Sequence, residues 1–490
     1  MLNKRQSQGI PLAKKDSEAA HTRADIDYEM AHITVRGTIP LRKPWTNVAH
    51  AKSSLAGKSF ASLQLQKIDT TRGMSVRAVR LPFSSASVRF DQDAAIWVLL
   101  QQIVVRGFVA VKFLAIGRIL GPAAIGSVSV ALLAVAIAES LSDTGLAQAV
   151  VQGRETPNRS QLGAVWTTLA SRGALIALLI VCAAPFMDQQ FHLGGSLLLL
   201  QLAALLPLIR GVASPAYYIV TRERGFMRIA GVEMSSAFLD CAIGLAFALG
   251  GAGAYSVLLG MVAGESLKTV LTWTTMSPRP PLRLSWKGIG HYVNFSRWIW
   301  AGSVVNLLLN QFDKVIVAKL LGPAQLGAYQ MSSKLAQMLL ADAAIAMSQY
   351  LFPAFSAHHR KDADFAARLF RRYLGLIAAG LVVLVIILRF AAEPLFQIVL
   401  GTAWLPAVPL FRIFVVNMAI GAVIAVLVSY LRAVGLPKVA THASIIQAVV
   451  LLVTVPVATH LWGVTGIAWA MTIGLAAAAG WMLFRIVREA

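Results

Sequence analysis

The chain has 490 residues, of which 57% are hydrophobic and only 13% are charged. A soluble globular protein carries about 25% charged residues, so this composition excludes a soluble globular domain. The net charge of +22 does not indicate a nucleic-acid-binding protein. The cations lie between apolar blocks, as in membrane proteins, instead of on one polar domain with interleaved aromatic residues. The two cysteines lie inside apolar blocks and predict no disulfide or metal site.

Residues 1–93 differ from the rest of the chain. They are polar, carry scattered Lys and Arg, and show no sustained helical or strand period. This pattern predicts a basic, mostly disordered cytoplasmic tail.

Twelve apolar segments follow the tail, each near the length that a helix needs to cross about 30 Å of hydrocarbon. They are residues 94–116, 125–148, 161–184, 194–218, 228–250, 253–276, 295–318, 325–352, 373–393, 404–431, 437–459 and 463–485. The connections between them are too short to hold a soluble domain. We therefore predict an all-α integral membrane protein, with an N-lobe of six spans at 94–276, a cytoplasmic linker at 277–294 and a C-lobe of six spans at 295–490.

Basic residues alternate between the connecting loops. Loops after even-numbered spans carry Arg154, Arg159, Arg222, Arg224, Arg279, Arg283, Lys287, Arg360, Lys361, Arg368, Arg371, Arg372, Arg432 and Lys438, whereas loops after odd-numbered spans carry little beyond Arg118, Lys319 and Arg389. Because Lys and Arg concentrate in cytoplasmic loops, this alternation predicts that both termini are cytoplasmic.

The two halves contain an internal repeat. Residues 117–126 and 318–327 both read as a small residue, a basic residue, two aliphatic residues, Gly-Pro-Ala, one residue, an aliphatic residue and Gly, around Gly121-Pro122 and Gly322-Pro323. Leu-Gly-Pro alone is a common way to end a helix. A ten-residue match between spans one and two and between spans seven and eight favours two duplicated, parallel six-helix lobes related by an axis along the membrane normal.

Two stretches resemble a known family. One contains Leu120-Gly121-Pro122, Gly126, Asp143-Thr144-Gly145-Leu146 and Val151-Gln152; the other contains Asp313, Leu321-Gly322-Pro323, Gly327-Ala328-Tyr329 and Leu351-Phe352-Pro353-Ala354-Phe355-Ser356. Together with their spacing, these motifs resemble the Wzx-like polysaccharide-repeat flippases of the multidrug/oligosaccharidyl-lipid/polysaccharide exporter superfamily. The resemblance covers residues 90–490 and leaves out the tail.

This resemblance implies a V-shaped pair of six-helix bundles, a fold shared with the multidrug (MATE-type) exporters. It implies a flippase that moves an undecaprenyl-diphosphate-linked sugar repeat unit across the bacterial inner membrane for exopolysaccharide, capsule or O-antigen synthesis. The expected partners are that lipid-linked oligosaccharide, membrane lipid, a polysaccharide polymerase and a chain-length regulator, with no nucleic acid and no cofactor.

Two alternative functions make different demands on the charged residues. A cation-coupled drug exporter shares the fold but favours an acidic cavity, whereas these spans contain Arg106, Lys112, Arg172, Arg210, Lys268, Lys314, Lys334 and Arg412. A membrane-embedded glycosyltransferase, ligase or polymerase needs catalytic groups on a sizeable extracytoplasmic loop. The longest such loop, near 388–404, offers only Arg389 and Glu393, and the sequence has no phosphate-cradling Gly-Lys-Ser/Thr motif. We therefore expect a transporter and not an enzyme.

Cations inside the spans are the candidate substrate-binding residues, because a charge in the bilayer costs a few kcal/mol unless a cavity, a partner or a function offsets it. They are Arg106, Arg172, Arg210, Lys314 and Lys334. A guanidinium donates two parallel hydrogen bonds to phosphate oxygens. Arg106 lies midway along span one, too deep to reach the interface easily; the alternative is that it pairs with Glu139 or Asp143.

A second set of charged residues is predicted to serve coupling or gating: Lys112, Glu139, Asp143, Asp313 and Asp342. Glu139 and Asp143 are one turn apart and repel each other, so they suggest either an ion relay or pairing with Arg106 or Lys112. Lys112 and Asp313 are equivalent under the repeat and suggest a latch between the lobes, although snorkelling competes with that role. Glu265 and Lys268, three residues apart, are expected to neutralise each other.

The charge alternation makes a direct prediction about topology. Fluorescent-protein fusions in the loops near Arg222 and Arg360 should fluoresce, because these loops are predicted to be cytoplasmic, and alkaline-phosphatase fusions there should be inactive. Phosphatase activity at either position would show that the predicted orientation is wrong.

Overall fold

A computed structural model describes residues 92–153, 156–281, 290–360 and 362–489. All regular elements among these residues are helical. They are α1 (Gln92–Leu141), α2 (Leu146–Gln152), α3 (Arg159–Gln190), α4 (Leu197–Val212), α5 (Ala216–Arg222), α6 (Phe226–Leu249), α7 (Tyr255–Thr275), α8 (Gly290–Ala336), a π-helix (Gln337–Ala341), α9 (Asp342–His359), α10 (Ala363–Val399), a 3-10 helix (Thr402–Ala407), α11 (Val408–Ala433) and α12 (Pro437–Glu489). Almost all of the predicted tail, and the middle of the predicted linker at 277–294, lie outside the described residues.

Three of these helices are too long to cross a membrane once. The 50 residues of α1 extend about 75 Å at 1.5 Å per residue, more than twice the thickness of the hydrocarbon layer. The helix bends at Gly121, so it contains predicted spans one and two. In the same way α8 bends at Gly322 and α12 bends at Gly463. The expected loops between these span pairs are therefore sharp kinks within continuous helices.

The remaining predicted spans correspond to separate helices. By length and composition, six described helices are able to cross a membrane, or seven if the bent pair α4 and α5, which meet at 61°, forms one span. Two of the six, α1 and α12, each contain two predicted spans. Span eight begins in α8, continues through the π-helix and ends in α9. The chain is thus a multi-pass membrane protein.

The kinks of α1 and α8 have the same backbone conformation. Gly121 has φ 76° and ψ 178°, and Gly322 has φ 83° and ψ 174°. Only glycine adopts these angles without strain, and the proline that follows each glycine restarts the helix with its fixed φ. The repeated Gly-Pro pair therefore encodes one bend twice, once in each half of the chain.

The two kinked helices pack closely against each other just beyond these bends. A Cβ atom added at Gly126 of α1 would lie 1.7 Å from the carbonyl oxygen of Pro323, and one added at Gly327 of α8 would lie 2.0 Å from the carbonyl oxygen of Pro122. The same glycine of each repeat thus rests on the proline carbonyl of the other repeat. We call this reciprocal backbone contact the α1–α8 crossing.

Side-chain hydrogen bonds beside the crossing join α1 to two further elements of the C-terminal half. The indole Nε1 of buried Trp404, in the 3-10 helix, donates a hydrogen bond of 2.9 Å to the carbonyl of Gly117. The guanidinium of Arg118 donates to the carbonyls of Ile398 and Val399 at the end of α10. These bonds fasten α1 to two further elements of the other half.

The crossing predicts that Gly126 tolerates no side chain. Gly126→Ala should lower the melting temperature, because overpacking of this kind costs about 1–3 kcal/mol. Gly107→Ala is the matched control, since it lies in the same helix with nothing within 4 Å of its added Cβ. Fluorescence-detected size-exclusion melting of the solubilised protein measures both changes. Equal melting temperatures for the two variants would contradict the contact.

Candidate functional site

A polar cavity lies where α1, α3, α4 and α5 face the beginning of α8. Its volume is about 470 Å³, and its charged lining residues are Glu139, Asp143, Arg172 and Arg210. Polar lining comes from Ser140, Tyr218, Ser303 and Asn306. Four of the ten charged residues singled out in the sequence therefore meet in one place, two from the binding set and two from the coupling set.

Arg210 bridges two carboxylates from different helices. Its Nε donates to Oε1 of Glu265 on α7 at 2.7 Å, and its Nη1 donates to both carboxylate oxygens of Glu139 on α1 at 3.1 and 3.2 Å. The three side chains are only partly exposed. Arg210 is thus already engaged by two anions, and its main effect is to hold α1, α4 and α7 together.

The expected pairing of Glu265 with Lys268 is wrong. Lys268 instead pairs with Glu233 on α6 at 2.6 Å, and the hydroxyl of Tyr217 donates to the same carboxylate at 2.8 Å. The spacing of three residues does place both charges on one side of α7. However, α4 and α6 flank that helix and supply a better partner to each. Both ion pairs therefore connect different helices and not successive turns of α7.

Arg172 has a different environment. Its Nε donates to the hydroxyl of Ser142 at 3.0 Å, and its Nη2 donates to the backbone carbonyl of Glu139 at 2.5 Å. Among the described residues, no ion pair includes Arg172. Its hydrogen-bond partners are neutral oxygens, while the carboxylates of Glu139 and Asp143 line the same cavity.

The carboxylate of Asp143 connects the two halves of the chain. It accepts from the backbone N–H of Gly145 at 3.0 Å and from the hydroxyl of Ser303, on α8, at 2.7 Å. Close by, the indole of Trp300 donates to the carbonyl of Leu141 at 2.8 Å. The pairing of Glu139 or Asp143 with Arg106 or Lys112, one of the two expected alternatives, is not among the described ion pairs.

Lys112 and Asp313 have separate partners in this structure. Lys112 is 7% exposed; it pairs with Asp240 on α6 and donates to the carbonyl of Val257 at 3.1 Å. Asp313 is 4% exposed, and one of its oxygens accepts a 2.6 Å hydrogen bond from the hydroxyl of Tyr329. Its other oxygen, Oδ1, has no partner among the described residues. Both residues face inward within their own half, which explains why their equivalence in the repeat does not bring them together.

The other candidates lie outside the cavity lining. Arg106 is exposed on α1 and donates to Gln102 one turn earlier at 3.2 Å. Lys314 donates to the carbonyl of Asn310, and Lys334 donates to Gln337 at 3.1 Å. Asp342 begins α9, and its side chain lies outside the described part of the structure. The roles assigned to these four residues stay predictions.

The uncharged lining residues are not among the site residues that the sequence predicts, because those are charges in apolar spans. Two of them, Ser303 and Asn306, lie on α8 with Asn310 at intervals of three and four residues, a spacing that places all three on one face of the helix. Asn310 donates to Asn306 at 2.5 Å. The signal for these residues in the sequence is a polar stripe inside an apolar span.

Within the described residues, no group of three or more His, Cys, Asp or Glu is arranged to hold a metal ion.

Comparison with known proteins relates the chain to polysaccharide biosynthesis proteins. A family model described as "Polysaccharide biosynthesis protein" matches residues 115–409. The succinoglycan biosynthesis transport protein ExoT of Rhizobium meliloti is 25% identical over 344 residues, covering 70% of this chain and 68% of its own length. The lipopolysaccharide biosynthesis protein WzxC of Escherichia coli is 22% identical over 357 residues, covering 70% of this chain and 68% of its own.

Solved structures share the fold. The lipid II flippase MurJ, in an inward closed conformation, superposes with a TM-score of 0.63 at 13% identity, over 80% of this chain and 87% of its own. An inward-facing multidrug MATE transporter superposes with a TM-score of 0.54 at 12% identity, over 81% of this chain and 98% of its own. The expected all-α membrane fold, shared with the MATE-type exporters, is confirmed.

The arrangement around Arg210 predicts a strong coupling between three charges. Arg210→Met should lower the melting temperature, because it leaves Glu139 and Glu265 facing each other without a cation. The loss should stay below the roughly 3–5 kcal/mol of a fully buried pair, since these side chains are partly solvated. Neutralising both carboxylates in the same chain (Glu139→Gln with Glu265→Gln) should restore most of the stability. If it restores none, Arg210 stabilises the fold through packing and not through its charge.

Proposed function

The chain belongs to the polysaccharide biosynthesis protein family, and we propose that it carries an undecaprenyl-diphosphate-linked oligosaccharide repeat unit from the inner to the outer leaflet of the bacterial inner membrane. Transport proceeds by alternating access between the two lobes. The single observation that supports this substrate best is the position of Arg172 in the polar cavity between α1, α3 and α8.

Arg172 suits a diphosphate because its present partners are weak competitors. A hydrogen bond from a guanidinium to a phosphate oxygen is charge-assisted and stronger than one to a neutral hydroxyl or carbonyl. A diphosphate entering the cavity therefore displaces Ser142 and the carbonyl of Glu139 without leaving a carboxylate unpaired. Arg210 lacks this freedom, because its guanidinium already bonds two carboxylates.

The rest of the cavity suits a sugar. Its volume of about 470 Å³ lies in the usual range for small-molecule sites. Ser140, Tyr218 and Asn306 supply hydroxyl and amide groups, which donate to and accept from sugar hydroxyls. Hydroxyl and amide groups beside a guanidinium that bonds no carboxylate match a ligand with an anionic link and a neutral glycan.

Alternating access is supported by the distance between the cavity and the α1–α8 crossing. Along α8, Asn306 lines the cavity and Gly322 marks the kink, and the 16 intervening steps of 1.5 Å separate them by about 24 Å. The halves are in backbone contact at the crossing. With the predicted orientation, the cavity lies towards the cytoplasm and the crossing closes the outer side.

The proposed partners are a polysaccharide polymerase and a chain-length regulator, which copurification from the native membrane would detect.

Substitution of Arg172 tests the proposed substrate. Arg172→Gln should abolish export of the repeat unit while the protein accumulates normally, because no carboxylate loses its partner. Arg172→Lys should retain part of the export, since it keeps the charge but not the planar two-donor fork. The measurement is surface polysaccharide in a deletion strain that expresses each variant, beside its membrane level. Normal export with Arg172→Gln would remove the central support for this function.

The main alternative is a cation-coupled drug exporter. The MATE transporters share the fold, and Glu139 and Asp143 in the cavity lining are groups that attract organic cations. The two functions respond differently to Arg172→Gln. Loss of the positive charge should abolish export of an anionic lipid and should leave drug resistance unchanged or raise it. Drug-susceptibility testing of the same strains therefore separates them.

A further inference from the structure

An apolar groove lies directly beside the polar cavity. It has a volume of about 480 Å³ and runs between the second part of α1 and α3, with Val315 of α8 at one side. We call it the α1–α3 groove and define it by Leu133, Ile137, Leu175, Leu179, Ala183 and Met187. Apart from Ser142 and Arg172 at one end, every residue of its lining is apolar.

The groove follows α3 over a length greater than one leaflet, which is about half of the roughly 30 Å hydrocarbon layer. Its lining on α3 recurs every three or four residues from Arg172 to Met187, which corresponds to one face of the helix. Fifteen steps of 1.5 Å give this face a length of about 22 Å. The groove is therefore long and narrow, the shape of a single extended hydrocarbon chain.

Arg172 joins the groove to the cavity. Arg172 and Ile176 line both spaces. On one side of the guanidinium lie the polar groups Ser140, Tyr218 and Asn306, and on the other side the lining is aliphatic. Arg172 also bonds α1 through Ser142 and the carbonyl of Glu139, and the gap between α1 and α3 begins beside these bonds. A ligand at this junction must be anionic in the middle, polar at one end and apolar at the other.

We propose that the α1–α3 groove binds the polyisoprenoid chain of the transported lipid, in the stretch next to its diphosphate, while Arg172 holds the diphosphate and the cavity holds the sugar. This assignment rests on the proposed function and extends it to the lipid. A polyisoprenyl diphosphate fits because it has one chain, one anionic link and one polar end. A bilayer phospholipid has two chains and a small head group, which leave the polar cavity unused.

Two neighbouring leucines provide a matched pair for the test. Leu179 lines the groove, whereas Leu178 does not, and both are similarly exposed at 55% and 60%. Glutamine at either position carries a similar cost on an apolar helix surface. Only Leu179→Gln places a polar amide against a chain that occupies the groove.

The experiment measures binding of undecaprenyl diphosphate to the purified full-length protein in detergent, for the wild type, Leu179→Gln and Leu178→Gln. Farnesyl diphosphate, which has the same head group and a short chain, is the second probe. Leu179→Gln should weaken binding of undecaprenyl diphosphate roughly 10-fold, as loss of one buried leucine contact implies, and Leu178→Gln should change it less than about 2-fold. Ala183→Trp, which fills the groove, should weaken it as well.

The outcomes separate the groove from the function. If the wild type binds undecaprenyl diphosphate and both glutamine variants bind it equally well, the groove assignment is wrong and the flippase proposal stands. If the wild type binds neither diphosphate, the proposed function itself fails. If excess phosphatidylglycerol competes with undecaprenyl diphosphate and is itself weakened by Leu179→Gln, the groove holds bilayer lipid and the proposal is overturned.

Discussion

The backbone contact between α1 and α8 is the constraint on which the rest of the arrangement depends. Gly126 and Gly327 each rest on a proline carbonyl of the other helix, so the two halves meet without intervening side chains. Close approach of this kind is what small residues permit in membrane helices, where association relies on packing instead of on the hydrophobic effect. Towards the other end of these helices the halves meet through side chains, such as Ser303 on Asp143, and the polar cavity lies between them.

The duplicated halves share a backbone but differ in their buried charges. Lys112 and Asp313 occupy equivalent positions, 201 residues apart. Lys112 pairs with Asp240 on α6. In that part of the chain the repeat offset is 210 residues, as Gly225 with Gly435 and Gly253 with Gly463 show, and the position matching Asp240 is an apolar valine. Asp313 instead meets Tyr329, whose own equivalent in the first half is also a valine. The repeat therefore preserved the bends and the crossing, while each half acquired its own polar partners.

Much of the fold could be predicted from the sequence, because it is encoded by local signals. The lengths of the apolar blocks and the two Gly-Pro motifs are signals within short stretches of chain, and both agree with the helices observed. The kinks differ from the expected loops because Gly121 and Gly322 turn the chain in a single residue. Loop length cannot indicate that a turn is built into a continuous helix.

The site was only partly predictable, because partner choice depends on neighbouring helices. Four charges in apolar spans that the sequence predicts as site residues do share one cavity: Arg172, Arg210, Glu139 and Asp143. The spacing of charges along the sequence does not predict the ion pairs. Glu265 pairs with Arg210 and not with nearby Lys268, and Lys268 pairs with Glu233. The uncharged lining residues, such as Asn306, leave a weaker signal than a charge does, namely a polar stripe on one face of an apolar span.

The indole of Trp404 on the carbonyl of Gly117 has a consequence for how the halves can separate. The carbonyl lies in a helix at its kink, and the indole that satisfies it is fully buried. A partial separation would withdraw the indole before water could reach the oxygen, and a buried polar group without a partner costs about 1–3 kcal/mol. The nearby bonds of Arg118 would be stretched by the same movement. A barrier of this kind disfavours half-open forms, so this end of the molecule should switch between two discrete states instead of widening gradually.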